Sequence, residues 1–506
     1  MKDRARLVVL LVSVFMIATC GILYELLIST ISTYFLGSSV LHFSITIGLF
    51  MSFMGVGSYL SKFINNHLLE RFVLIEILLG VVGGCSALVL YFSHSLTENY
   101  HLVAFLIISA LGTFIGLEIP LVARIISQYT TLKDTLAQVL SFDYIGALIA
   151  SVVFPLLLLP YFGTMRTAFL IGILNLSVAA FNAHVFKDAL KNALILRNTS
   201  LMFIVGLLVG FGYSFQITTF FEQFVYQDEI ILTRQSAYQR TVLTRWNNDY
   251  RLYLNGALQF STVDEHRYHE PLVHVPMHQV RNHERVLLLG GGDGLAAREI
   301  LKYSDVQRLD VVDLDAAVTD LGRNNPIFKK INSGSFNSPK VRIYNEDAFN
   351  FVKNASELYS VIIIDLPDPN DPALGKLYST EFYKLVAKRL TADGLMVTQA
   401  TSPYFATDAF WCVSHTVAAA FGHATPYTVY VPSFGQWGFV LAGQNQPVRP
   451  DIGFKSNFKL RYLNAQTYRQ LFEFDPDMAD RPVPVNRLDN QIVVQLYEQS
   501  LKKWQE

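Results

Sequence analysis

The sequence predicts an all-α transmembrane bundle of about seven spans followed by an α/β half, and three observations carry that division. The chain has 506 residues, 51% of them hydrophobic and 16% charged, too apolar for an ordinary soluble protein and too long for one domain. Its charges are unevenly placed: 20 of the 221 residues up to Phe221 are Lys, Arg, Asp or Glu, against 61 of the 285 that follow. The hydropathy pattern also changes near Phe221, from long apolar runs to short strand-like ones. Three organisational blocks result: residues 1–221 as the helical bundle, 222–284 as a small β-rich module, and 285–506 as the main α/β domain.

In the first block, apolar stretches lie near 7–36, 42–61, 72–93, 101–123, 136–160, 166–186 and 201–221. Each is close to or above the roughly 20 residues that a helix needs to cross about 30 Å of hydrocarbon. The first begins behind Lys2, Arg4 and Arg6 like a signal peptide, but runs on to Leu36 without a small-residue cleavage site, so it reads as a retained anchor. Polar links such as Leu36-Gly37-Ser38-Ser39, Ser93 to Asn99 and Lys187-Asp188 separate the runs. Gly55, Gly57, Gly80 to Gly84 and Gly206 to Gly212 suit close helix contact.

Four carboxylates fall inside these runs: Glu25, Glu76, Glu118 and Asp143. An ionised group in hydrocarbon costs several kcal/mol (about 3 on insertion scales) unless paired or hydrated. Glu25, Glu118 and Asp143 are therefore candidates for an intramembrane cation site. The structural alternative pairs Glu118 with Arg124 or a hydroxyl and leaves Glu76 and Asp143 at the membrane interface.

In the second block, Arg251-Leu252-Tyr253-Leu254-Asn255-Gly256 ends in a turn pair suited to a hairpin. From Arg285 onward, apolar strands alternate with glycine turns and helices. Strand runs are expected at 286–289, 309–313, 341–344, 361–365 and 395–398. Continuous Val, Ile and Leu separated by helices mean a parallel sheet buried on both faces. Ligands of such sheets sit beyond the carboxyl ends of the strands, which is where Asp293, Asp313, Asp347, Asp365 and Asp368 fall.

Gly290-Gly291-Gly292-Asp293-Gly294 resembles a dinucleotide loop only in part. Its third glycine position holds Leu295, and Asp293 stands where a pyrophosphate would approach. A phosphate-free adenosyl ligand fits better. Asp313, about 20 residues past the loop, suits two ribose hydroxyls, and Asp347 suits an adenine amino group. The near-zero net charge of −1 provides no basic footprint for nucleic acid. Cys20, Cys85 and Cys412 lie too far apart in sequence for a disulfide framework or a metal-ligand spacing.

Taken together, Leu254 to Gln259, Asp264-Glu265, Tyr268-His269-Glu270, Gly290 to Gly294, Asp313-Leu314-Asp315, Glu346-Asp347-Ala348 and Asp365-Leu366-Pro367-Asp368-Pro369 resemble the spermidine synthase (polyamine aminopropyltransferase) family. The resemblance spans roughly Tyr238 to Phe439. The preceding runs, with Tyr24-Glu25 and Asp143 to Ala147, look like its membrane-embedded bacterial branch. The resemblance implies a Rossmann-like domain of the S-adenosylmethionine-binding type. The implied reaction moves an aminopropyl group from decarboxylated S-adenosylmethionine, a co-substrate, to an amine such as putrescine, with no prosthetic group or metal. By position, Asp365 is the implied proton acceptor. Gln239, Gly290, Gly292, Asp313, Asp347, Ala348 and Pro372 are implied to hold the donor, and Tyr268, His269, Asp293 and Asp368 the amine. A homodimer or homotetramer is also implied.

The residues make compatible demands on the chemistry. An amine with a pKa near 10 must lose a proton to become a nucleophile, which calls for a carboxylate beside it. Asp293 would repel the carboxylate of ordinary S-adenosylmethionine but attract the ammonium of the decarboxylated form. Three departures from the family pattern stand out: Asp313 where glutamate is usual, Asn255 where aspartate is usual, and Phe434 where soluble members carry a tyrosine that touches the amine. The first two are tolerable; the missing hydroxyl at Phe434 leaves the acceptor amine open. A methyltransferase on the same fold and a non-catalytic polyamine carrier or sensor are the competing readings.

Membrane orientation pits two arguments against each other. Ten of the eleven Lys and Arg residues before Phe221 sit on one set of alternating ends, against Arg166 alone on the other, which puts the amino terminus in the cytoplasm. Seven crossings would then leave the catalytic half outside. Supply of a cytosolic co-substrate argues instead for a cytoplasmic catalytic half at the bacterial inner membrane.

Overall fold

The computed structural model describes residues 2–36, 39–97, 99–129, 131–226, 228–444 and 453–504, and the chain divides into two compact units, Met1–Gln239 and Arg240–Glu506. The expected turn at Gly37-Ser38 and the Glu98 position of the second link lie outside the described residues.

The first unit is helical: α1 (Lys2–Leu36), α2 (Ser39–Leu60), α3 (Leu68–Gly84), α4 (Ser86–Leu96), α5 (Tyr100–Ile126), α6 (Leu132–Val153), α7 (Leu159–Val185), α8 (Ala193–Gly212) and α9 (Ser214–Tyr226), closed by strand β1 (Glu229–Gln235). Six helical stretches are long and apolar enough to cross a membrane. One of them, Lys133–Val185, has 53 residues, or about 80 Å if straight, far more than one span needs. It is interrupted by a π-helical turn at Phe154–Leu158 and by non-helical geometry at Gly163, which separate the expected 136–160 and 166–186 runs. The last run begins earlier than expected, at Ala193, and breaks after Gly212. Helices α2 and α5 approach so closely that a Cβ on Gly116 would collide with the Met54 carbonyl; small residues at the contact allow this.

The structure rejects the expected partners of two carboxylates. Arg124 donates to the backbone carbonyls of Ile64 (3.0 Å) and Ser61 (2.8 Å), because the end of α2 offers it unsatisfied acceptors, and it does not pair with Glu118. Glu76 is wholly buried within the protein on α3. Glu25 and Asp143 are half-buried.

The second unit opens with an antiparallel meander, β2 (Arg240–Trp246), β3 (Asp249–Leu254) and β4 (Ala257–Ser261). Asn255 and Gly256 both take positive φ (48° and 83°) in the expected hairpin turn. Helix α10 (His266–Gln279) leads into β5 (Arg285–Gly290), α11 (Leu295–Ile300), β6 (Arg308–Val312), α12 (Ala316–Asn324), α13 (Pro326–Ile331), β7 (Val341–Tyr344), α14 (Ala348–Asn354), β8 (Tyr359–Asp365), α15 (Pro372–Gly375), α16 (Thr380–Ala387), β9 (Leu390–Gln399), α17 (Thr407–Phe421), β10 (Thr425–Val431), β11 (Gly435–Gly443), α18 (Ala465–Gln470) and α19 (Ile492–Lys502).

The large sheet has the order β10-β11-β9-β8-β5-β6-β7. Strands β5 to β9 are parallel, as their unbroken apolar runs require, and β11 runs antiparallel to both neighbours. Val286 and Leu288 pack into the layer holding α10 and α11, while Leu287 and Leu289 pack into the layer holding α16 and α17. Both faces are therefore covered, and only the strand ends remain for polar chemistry.

Gly290 ends β5 at φ +84°, and a Cβ there would collide with the Asp365 carbonyl of β8. That close approach sets the loop against the end of the neighbouring strand. Gly290→Ala is expected to cost ~2 kcal/mol or more, read as a lowered thermal midpoint together with loss of adenosyl-ligand binding.

Candidate active site

The sheet's parallel register brings the ends of β5 and β8 together, with Gly290 opposite Asp365. The glycine loop then crosses toward the end of β6, where Asp313 holds it. Asp313 Oδ2 accepts from the Gly292 amide (3.1 Å) and its Oδ1 from the Asp315 amide (2.9 Å). Asp293 spends one oxygen on the Leu295 amide (2.8 Å) at the start of α11.

On the β8 side, Tyr268 donates its hydroxyl to Asp365 Oδ1 at 2.7 Å. Three residues on, Asp368 receives the Tyr497 hydroxyl at 2.8 Å from α19 and the Gln399 amide at 3.5 Å from the end of β9. Gln399 also bridges the Leu366 carbonyl (2.7 Å) and the Thr401 amide (2.9 Å). The loop carrying Asp365 and Asp368 is thereby fixed from behind.

These carboxylates lie in a poorly hydrated place. Burial raises Asp293, opposed by His269 and reinforced by Asp365, to about 6. Burial likewise lifts Asp313 and Asp368 to about 6, and raises Asp365 against the opposing pull of His269 and Tyr268. A carboxylate held near 6 remains mostly ionised at neutral pH while keeping a strong demand for a cation.

One internal cation answers part of that demand. Burial disfavours charge on His269, but the hydrogen bond and charge of Glu265 outweigh it and push the imidazole up to about 9. Glu265 Oε2 lies 3.0 Å from His269 Nδ1 and also takes Arg298 Nη2 at 2.8 Å. Burial works against ionisation of Glu265 too, yet His269 and Arg298 hold it down to about 2. The chain Arg298, Glu265, His269 thus delivers a fixed imidazolium beside Asp293 and Asp365.

The other acids of the motif are structural. Asp264 takes the Ser433 amide (2.7 Å) and hydroxyl (2.9 Å), tying down the turn before β11. Glu270 accepts three consecutive amides, those of Arg461, Tyr462 and Leu463, at 2.7–2.9 Å. That turn carries Phe434, whose ring lies 6.2 Å from Tyr268 and 5.3 Å from Trp437. The three rings form an apolar wall with no hydroxyl at position 434.

Further along the strand ends, Asp347 caps α14 through the Asn350 amide (3.0 Å), and its other oxygen pairs with Lys376 at 2.7 Å. Ala348 is the first, buried residue of α14. Pro372 opens α15 behind the cap Asp371. Gln239 is the last residue of the first unit, its carbonyl accepting from the Ser236 amide and hydroxyl. Of the residues singled out from sequence, Gly290, Gly292, Asp293, Asp313, Tyr268, His269, Asp365 and Asp368 converge on one region. Sequence reasoning missed Tyr497, Gln399, Arg298 and Lys376; no local pattern marks them, because each arrives from a distant element.

Glu265→Gln is expected to return His269 to its ordinary range or below, since burial then acts unopposed. An NMR titration of the imidazole would read this as a fall of about two units or more. Asp293→Asn, which removes a buried charge that folding disfavours, is expected to raise the thermal midpoint by a few degrees above pH 6; the sign follows because a raised carboxyl makes the folded state bind its proton more tightly than the unfolded state does.

The comparisons with known proteins converge. Residues 265–452 match the family model described as the spermine/spermidine synthase domain. The polyamine aminopropyltransferase of Leptospira interrogans is 44% identical over 97% of this chain and 98% of its own length. Polyamine aminopropyltransferase 2 of Ralstonia nicotianae is 42% identical, covering 97% of each. These relatives therefore share the apolar half as well. A spermidine synthase solved in complex with the transition-state analogue AdoDATO covers 49% of this chain and 86% of its own at 27% identity, with a TM-score of 0.46.

Proposed function

Because the chain belongs to the spermine/spermidine synthase family of polyamine aminopropyltransferases, we propose that its carboxylate-lined strand ends join decarboxylated S-adenosylmethionine to putrescine or a related diamine, releasing methylthioadenosine. The observation that carries this reading is the set of half-buried acids, Asp293, Asp365 and Asp368: among the groups that shift them, His269 is the one cation acting on Asp293 and Asp365, and none acts on Asp368. A dicationic donor and a cationic acceptor are what such a surface selects.

In the proposed reaction, Asp313 receives the ribose hydroxyls, with Gly290, Gly292, Ala348 and Pro372 shaping the adenosyl seat. Asp347 offers its Lys376-paired oxygen to the adenine amino group, so Lys376 must yield or share that oxygen. Asp293 takes the donor's ammonium. Asp368 holds the distal ammonium of the acceptor, and Asp365, oriented by the Tyr268 hydroxyl, takes a proton from its reacting amine. The nitrogen forms a bond to the aminopropyl carbon, the C–S bond breaks, and sulfur keeps the electron pair as a neutral thioether. Alignment of nitrogen, carbon and sulfur supplies much of the acceleration. Phe434 and Trp437 leave the acceptor pocket more apolar than a tyrosine-lined one, which suits a longer or less polar amine beside putrescine.

The first unit supports membrane attachment. Its six apolar helical stretches, the longest interrupted at Gly163 between the two expected runs, support a bundle of about seven spans. Met51, Leu148, Leu156 and Val205 point outward from α2, α6, the π turn and α8, a surface that lipid rather than water would cover. Supply of the co-substrate places the catalytic unit in the cytoplasm at the inner membrane, and a homodimer or homotetramer follows the family resemblance.

Purified full-length protein given decarboxylated S-adenosylmethionine and putrescine is expected to release methylthioadenosine, with Asp365→Asn slower by about 10²- to 10⁴-fold. For the amine, kcat/KM should fall as pH drops through about 6, because Asp368 takes up a proton and no longer holds the acceptor's distal ammonium; the donor's kcat/KM should fall in the same range through Asp293. Methyl transfer from ordinary S-adenosylmethionine, or full activity in Asp365→Asn, would contradict this reading.

A further inference from the structure

Glu76 on α3 is 0% exposed and Glu118 on α5 is 1% exposed, and apart from one another neither carboxyl group meets a hydrogen-bond partner among the described residues. They face each other where α3 packs on α5. Tyr24 on α1, also 0% exposed, directs an unpartnered hydroxyl at the same point. The other titratable groups facing the cluster are the Cys20 and Cys85 thiols. Arg124, the only Arg or Lys on α5, is committed to backbone carbonyls.

A pair of glutamates serving only as helix glue would have a donor opposite each oxygen. Two ionised carboxylates side by side in this apolar setting would repel strongly and lack hydration, so the pair must share a proton or hold another positive charge between them. The donor set, carboxylates with a phenol, repeats what the sheet presents as Asp365 with Tyr268 and Asp368 with Tyr497. We propose that Tyr24, Glu76 and Glu118 form a second alkylammonium site, inside the helical unit, where the ammonium head of a polyamine replaces a proton shared by the two carboxyl groups. One cation enters and one proton leaves. The choice of polyamine as ligand rests on the proposed transferase activity.

The test is equilibrium binding of radiolabelled spermidine to full-length protein in nanodiscs, with proton release followed by an indicator dye in weak buffer. Wild type is expected to bind two spermidines per chain. Glu76→Gln with Glu118→Gln is expected to bind one and to lose one released proton, while methylthioadenosine release stays within about twofold of wild type. Tyr24→Phe, which keeps the ring packed against Gly83, should weaken the second site severalfold and covers the case in which the double variant does not fold. A stoichiometry of one in wild type, or second-site binding unchanged in Tyr24→Phe and in the double variant, overturns the site. Two spermidines per chain without methylthioadenosine release would overturn the transferase reading and leave this site standing.

Discussion

Uncompensated negative charge at the carboxyl edge of a buried parallel sheet is the constraint around which the second unit is arranged. The strands can hold Asp293, Asp313, Asp365 and Asp368 together only because each has at least one oxygen satisfied by a neighbour: the Leu295 amide, the Gly292 and Asp315 amides, the Tyr268 hydroxyl and the Tyr497 hydroxyl. What remains is a demand for cations that a single imidazolium only partly meets. Folding tolerates this because buried carboxylates can take up protons, and the rise of three of them to about 6 is the measure of that tension. Function and stability pull in opposite directions at these positions.

The helical half also encloses acids. There the acids are few, and two of them, Glu76 and Glu118, are wholly enclosed. Chain-wide similarity to the Leptospira and Ralstonia proteins means that this half travels with the catalytic half in those relatives.

The central strands were legible because unbroken Val, Ile and Leu runs between helices leave a parallel sheet as the simplest way to bury both faces, and the Asn255-Gly256 turn was legible because it needs positive φ. The antiparallel insertion of β11 between β9 and β10 was not, since an apolar run such as Phe439 to Ala442 does not say which strands it lies between. At the site, Asp365 and Asp368 follow from their place after a strand, but Tyr497 lies 129 residues beyond Asp368 and reaches it only through the packing of α19. Glu265 shows the same limit. Its sequence neighbours do not reveal that it charges His269 and anchors Arg298. Arg124 was offered as one partner for Glu118 because it is close in sequence, but it is committed to backbone carbonyls, and the carboxyl group facing Glu118 comes from another helix.

The most direct test of the charge argument is calorimetric binding of decarboxylated and ordinary S-adenosylmethionine to wild type and to Asp293→Asn at pH 7.5. Wild type should prefer the decarboxylated ligand by about tenfold or more, equivalent to ~1.4 kcal/mol, and Asp293→Asn should bring the two affinities to within about threefold. Equal affinities in wild type, or a preference that survives Asp293→Asn undiminished, would contradict the claim that this carboxylate chooses the donor.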